Sequence, residues 1–169
     1  MTAELTRLVS LSKIGPDGLT VLVRATPEEC AAVAERMDLP AIRSLSCAFN
    51  LTAGDDGVTV LAQGTLRAEV TRVCVVSAED FETTVEDAFE IRFVPAGQER
   101  DDPDPDLPDE IPYEADTLDL GEATAEQLGL ALDPYPRMDG AVVPDIEDGG
   151  DKSPFSVLSR LPGSDKTRH

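Results

Sequence analysis

Between Ala41 and Val94 the apolar residues recur at every second position, and nothing else in the chain restricts the fold so tightly. Successive side chains of a strand point to opposite faces, so a period of two marks strands with one buried side. Ala41, Leu45, Cys47, Phe49 and Leu51 share one face, with Ser44, Ser46 and Asn50 on the other. Arg43 interrupts the apolar face near its end, where its long stem lets the charge reach water. Gly54-Asp55-Asp56-Gly57 reads as a hairpin turn and Val58 to Gln63 as the returning strand. Gly64 reads as a bulge or bend before Thr65 to Val76 continues the sheet. Leu66, Ala68, Val70, Cys74 and Val76 line that strand's apolar side, broken by Arg72. After a turn at 77–80, Phe81, Val85, Phe89, Ile91 and Phe93 line the next, broken by Asp87. Arg72 and Asp87 are candidates to pair across this hairpin, the register permitting.

Upstream, Glu4 to Ile14 has the mixed pattern of an edge strand. Gly15-Pro16-Asp17-Gly18 is a turn, and Leu19 to Ala25 alternates as a second strand, so the pair reads as a hairpin or the start of a meander. Thr26-Pro27-Glu28-Glu29 then starts a helix. Thr26 caps it, Pro27 fits the first position and Glu29 closes a capping box. Cys30, Val33, Ala34 and Met37 mark its buried face, with Cys30 as a small core hydrophobe rather than a nucleophile.

A second helix is delimited within Asp116 to Arg137. Asp119 is its N-cap, and Glu122 stands where a capping box needs its second member. Ala125, Leu128 and Leu132 follow at the spacing of one helical face. Pro134 stops the helix near Asp133, and Pro136 keeps the exit extended to Arg137. The fold class is therefore α+β: a bent antiparallel sheet or partly closed barrel, two helices and long acidic loops.

The charge is unevenly spread. Of the net −20, residues 97–151 carry 18 acids against two bases, and residues 1–96 carry 15 acids against eight bases. Residues 152–169 carry four bases against one acid. At 95–115, Pro and acid are too dense to bury much apolar area, which reads as a linker or mobile loop. The chain thus divides into a β-rich body (1–94), an acidic loop (95–115), a capped helix and its exit (116–137), a second acidic loop (138–152) and a short amphipathic segment with a basic tail (153–169), all in one domain. A surface this acidic repels a phosphate backbone and attracts basic proteins.

The patterns of familiar catalysts are missing. There is no phosphate-binding glycine loop, no dinucleotide fingerprint and no nucleophile elbow. The single histidine, His169, is the last residue, so a serine or cysteine nucleophile has no imidazole base. Cys30, Cys47 and Cys74 are odd in number and contain no C-x-x-C, which suggests neither a disulfide framework nor a zinc site. No stretch approaches the roughly 20 apolar residues of a membrane span. No signal-peptide pattern opens the chain, so the cytoplasm is expected.

Three passages resemble one family, in the same order and at the same spacing. They are G-T-L-R-A-E-V-T-R-V-C-V-V-S-A-E-D-F at 64–81, D-L-G-E-A-T-A-E-Q-L-G-L-A-L-D-P-Y-P-R at 119–137 and S-P-F-S-V-L-S-R-L at 153–161. They are similar to the G-x-a-x-V-x-x-x-C, Asp-Leu…Glu…Leu-x-Leu-x-x-P and N-P-F-A-V-L-x-x-L segments of the YceD family of large ribosomal RNA subunit accumulation proteins. The resemblance implies a bacterial, cytoplasmic protein needed for accumulation or processing of 23S ribosomal RNA and points to no enzymatic activity; from this chain's own residues, neither an enzyme nor a cofactor is expected. It also implies a gene that often neighbours that of a small large-subunit ribosomal protein. Many members carry a C-x-x-C and a further Cys that together resemble a metal site. Here Ser77 occupies the second position and no Cys follows Cys74, so no metal is expected.

The expected partner is a basic ribosomal protein or ribosome-assembly factor, with 23S rRNA possible and no membrane. Candidate partner contacts are Asp119, Glu122, Glu126, Leu128, Leu132, Pro134, Tyr135, Arg137, Phe155 and Leu158. Candidate RNA contacts are Arg67, Arg72, Lys152 and Arg160. A direct rRNA-binding module is the alternative, and a hydrolase or nuclease built on Asp87 is a more distant one.

Overall fold

A computed structural model describes residues 4–102 and 104–142. In chain order the elements are β1 (Leu8–Ser10), a 3-10 turn (Leu11–Lys13), β2 (Leu19–Arg24), α1 (Pro27–Arg36), β3 (Ala41–Ala53), β4 (Val60–Val73), β5 (Asp80–Pro95), β6 (Asp109–Tyr113), β7 (Thr117–Asp119) and α2 (Leu120–Ala131). Five strands form one sheet in the order β2-β3-β4-β5-β6, and β1 pairs with β7 in a second, two-stranded sheet. The fold is α+β, as the patterning predicts. The large sheet is open, with β2 and β6 as its edges, rather than closed into a barrel. It is mixed rather than purely antiparallel, because β6 runs parallel to β5.

That parallel pair gives residues 96–108 their structural purpose. Parallel neighbours need a crossover of a dozen or more residues, whereas a hairpin turn joins only antiparallel ones. The acidic stretch read as a linker is that crossover, and its last part is strand β6 itself. Arg100 ties it down: its Nε lies 2.8 Å from Glu110 Oε1, its Nη2 donates to the Pro108 carbonyl at 2.8 Å, and its amide donates to Glu110 Oε2 at 2.8 Å.

The N-terminal hairpin also differs from expectation. The Gly15–Gly18 turn closes only a single bridge. The 3-10 turn at Leu11–Lys13 leads the chain away, so β1 pairs with β7 while β2 pairs with β3.

In β3 the register shifts between Ile42 and Ser44. The bulge puts Arg43 and Ser44 both on the solvent side. Ile42 before it and Leu45, Cys47, Phe49 and Leu51 after it all reach the core. It also lets Arg43 meet Glu82 at 2.9 Å. Gly64, by contrast, lies in uninterrupted pairing within β4, opposite Phe49 on one side and Phe89 on the other. Arg72 and Asp87 do not pair: the register sets Arg72 against Phe81 and Asp87 against Leu66.

The core lies between the inner face of the large sheet and the two helices, with Phe49, Phe93, Leu51, Leu66, Ile91, Leu118, Leu120 and Leu128 fully buried. Helix α1 forms as its sequence requires. Thr26 Oγ1 accepts the Glu29 amide and Glu29 returns a carboxylate to the Thr26 amide at 2.8 Å, while Cys30, Val33 and Ala34 turn inward. Helix α2 is buried more widely than one stripe. Leu120, Gly121, Ala123, Thr124, Ala125, Gln127 and Leu128 are all covered, which leaves Glu122, Glu126, Gly129 and Leu130 along its outer line.

Candidate functional site: an acid-rimmed groove between β6 and α2

Asp119 sits where β7 becomes α2. Its Oδ1 accepts the amides of Gly121 at 3.0 Å and Glu122 at 3.2 Å, which caps the helix. The same oxygen accepts the Arg7 amide at 2.9 Å. Glu122 does not complete a capping box. It reaches sideways to Arg36 of α1, at 2.8 Å.

One turn further, Glu126 shares the outer line of α2 with Glu122. Like charges four residues apart on a helix repel. Burial raises the Glu126 carboxyl above its ordinary value, Glu122 adds to the rise, and Arg36 offsets part of it. Among the described residues no cation lies within ion-pair distance of Glu126.

These acids line one side of a groove of about 390 Å³ between β6 and α2. Its base is apolar, with Phe93, Tyr113 and Ala123 all buried, and Ile111 and the exposed Pro112 stand on the β6 wall. Its rim carries Glu114, Asp119, Glu122 and Glu126. Tyr113 is held in place by donating its hydroxyl to the Val58 carbonyl. The wall from β6 was not legible in the sequence, because periodicity in a Pro-rich acidic stretch is too short to mark a strand.

The other candidate residues fall in different places. Leu128 is fully buried and Leu132 packs against the core, so both anchor α2. Pro134, Tyr135 and Arg137 lie on the exposed exit, and Tyr135 is 71% exposed. That exit is fastened to the end of β4. Arg72 Nη2 donates to the Asp133 carbonyl at 2.6 Å, Val75 donates to Pro136 at 3.0 Å, and Met138 donates its amide to Cys74 Sγ at 3.4 Å. Phe155, Leu158, Lys152 and Arg160 lie outside the described residues.

Arg67 and Arg72 are on opposite faces of β4, since five residues separate them on a strand of period two. Arg67 is exposed and pairs with Glu86 directly across from it.

Cys74 is 1% exposed, yet its thiol is lowered to about 6. The Met138 amide contributes most, followed by the hydroxyl and amide of Ser77. A zinc knuckle would direct a second thiolate into the same turn. Here Ser77 stands where that second thiolate would be, and the Met138 amide donates to the sulfur at 3.4 Å. Among the described residues no three His, Cys, Asp or Glu side chains gather to hold a metal. The donor set does not fit a structural zinc.

What the fold and this site define is a small acidic α+β protein that presents a carboxylate-rimmed groove. The chain belongs to the YceD family. The family model described as large ribosomal RNA subunit accumulation protein YceD matches residues 62–156, more than half of the chain. Membership ties the protein to accumulation of large-subunit ribosomal RNA, and the description names no reaction. Searches of curated proteins and of solved structures found no significant match. The matched span contains the whole groove, from Phe93 to Glu126. Among the described residues no helix is long and apolar enough to cross a membrane.

Proposed function

We propose that the protein is a non-catalytic ribosome-biogenesis factor that supports synthesis, processing or accumulation of 23S rRNA in the cytoplasm by holding a basic ribosomal protein or assembly factor. The observation that carries this reading is that four of the five arginines on the large sheet are already engaged; Arg24, at the end of β2, is exposed and has no ion pair among the described residues. Arg43 pairs with Glu82, Arg67 with Glu86 and Arg92 with Glu110. Arg72 is turned to the Asp133 carbonyl. Phosphates approaching these cations would have to displace the glutamates and enter the field of a chain with net charge −20. Neutralising phosphates and releasing their counterions is the main source of non-specific nucleic-acid affinity. A cationic protein meets the same field as an attraction, which raises its rate of encounter.

Nothing in the groove supplies an activated nucleophile or an acid–base pair with an orienting partner, as a hydrolase needs. The test is a crosslinking pull-down of the tagged chain from growing cells, with and without nuclease. A basic large-subunit protein or assembly factor recovered in both samples is the expected result. Recovery of RNA alone, persisting after ribosomal proteins are stripped away, overturns the proposal in favour of direct rRNA binding.

A further inference from the structure

We infer that the groove between β6 and α2 docks a basic segment of the partner protein that carries one bulky apolar side chain. The inference rests on the reading of the chain as a holder of a basic protein, and it names where and how the contact is made.

The chemistry of the groove restricts its occupant. An apolar base under a carboxylate rim suits neither a nucleic acid nor an anionic headgroup, since both bring negative charge to Glu114, Glu122 and Glu126. It does not suit a bare metal ion either, because the carboxylates do not converge and the base offers no ligand. A volume of about 390 Å³ lies within the ~300–1,000 Å³ of ordinary ligand clefts. That is room for a large aliphatic or aromatic side chain with its flanking residues.

The rim acids are not equally committed. Asp119 is engaged by three amides, and Glu122 by Arg36. Glu126 has no cation within ion-pair distance among the described residues and stands four residues from Glu122. A Lys or Arg brought beside it relieves that repulsion. Next on the same line of α2 is Leu130, 70% exposed, so an apolar position continues beyond the acids. On the opposite wall, Pro112 has no amide to donate, which interrupts the outer edge of β6 for an added strand. Side-chain anchoring with flanking cations is therefore the recognition mode, rather than extension of the sheet.

The experiment uses the full chain and a fluorescein-labelled decapeptide rich in lysine with one central phenylalanine. Fluorescence anisotropy at ~50–100 mM salt gives the affinity. The Glu114→Gln/Glu126→Gln double variant is expected to weaken binding at least ~10-fold. Exchanging the peptide's phenylalanine for alanine is expected to do the same. A charge-matched control, Asp17→Asn/Glu79→Gln, removes two exposed acids that do not line the groove and is expected to change affinity less than ~2-fold.

Equal losses in the two double variants mean that only bulk charge attracts the peptide. Indifference to the phenylalanine means that the apolar base is not used. Either result overturns the groove while leaving a basic partner elsewhere on the surface possible. Failure of the full chain to bind the peptide at all also overturns the inference, as when the chain's own basic residues 152–169 or a second copy fill the site. Displacement by an RNA decamer in place of the peptide overturns it as well. Failure of the underlying reading shows separately, as a pull-down that yields no basic protein.

Discussion

The Oδ1 of Asp119 accepts the backbone amide of Arg7 at 2.9 Å, joining residues 112 positions apart. The return bond runs from the Leu120 amide to the Arg7 carbonyl at 2.9 Å. One carboxylate therefore starts α2 and also fastens the N-terminal segment across it. The contact is close enough that a Cβ on Gly121 would lie 2.6 Å from the Leu5 carbonyl oxygen and 2.7 Å from the Arg7 nitrogen.

Replacing Asp119 with alanine removes a helix cap, worth about 1 kcal/mol, and leaves the partly buried Arg7 amide without its acceptor, a further ~1–3 kcal/mol. Asp119→Ala is expected to lose about 2–4 kcal/mol in urea denaturation. Asp119→Asn keeps an acceptor oxygen at an equally good capping residue and is expected to lose under ~1 kcal/mol. Equal stability of the two variants would contradict this account. Because the asparagine variant folds, it also shows whether the Asp119 charge matters to a partner.

Gly64 makes room for Phe89. The two residues face each other across β4 and β5, and a Cβ on Gly64 would come within 2.2 Å of the Phe89 ring. The ring is fixed there by an edge-on contact with Phe49, with centroids 5.8 Å apart at 75°. A side chain at 64 must push Phe89 off both neighbours. Overpacking of this kind costs roughly 1–3 kcal/mol, so Gly64→Ala is expected to lower stability by that amount. In a Phe89→Leu background the same change is expected to cost less than half as much, because the atoms that clash are gone. A double-mutant cycle with no coupling energy would disprove the packing explanation.

Gly64 also marks the limit of what period-two reading can resolve. A glycine in a strand has two common uses, a bulge or a close approach, and both erase the local side-chain signal in the same way. The alternation read the faces of β4 and β5 correctly, since burial of alternate residues is a local property. It assigned Ala41 and Arg43 to the apolar face of β3, when the bulge at Arg43 hands that face to Ile42. The capping box of α1 was legible because every participant lies within four residues. That of α2 was legible only in part, because Glu122 is claimed by Arg36 from a different helix. The groove was half visible for the same reason. Its acids on α2 follow from helical spacing, while its β6 wall depends on a parallel pairing that no local pattern announces.

Acid sensitivity is expected to centre on the pair between Arg7 and Glu29. The guanidinium meets the carboxylate as a fork, Nη1 to Oε1 at 2.7 Å and Nη2 to Oε2 at 2.8 Å. The Thr26 amide adds 2.8 Å to Oε2. The Arg7 hydrogen bonds hold the Glu29 carboxyl down from 4.5 to about 2, against an opposing effect of burial. A carboxyl with a depressed folded value stabilises the fold fully above its unfolded value and loses that contribution as pH falls through the folded one. The window is therefore pH 4.5 down to 2. Both side chains are partly open to water, at 33% and 23% exposure, so screening limits the pair to about 1 kcal/mol. Glu29→Gln is the informative change, because glutamine still serves the capping box through the Thr26 amide and removes only the charge. Thermal unfolding at pH 7, 4.5, 3 and 2 is expected to show a constant deficit in the variant down to pH 4.5 that narrows and disappears toward pH 2. Glu126 acts in the opposite sense: its raised carboxyl favours the folded state as pH falls, which softens the acid limb of both proteins equally and leaves their difference intact. A deficit that persists undiminished at pH 2 would mean that Glu29 contributes by packing and not by its charge.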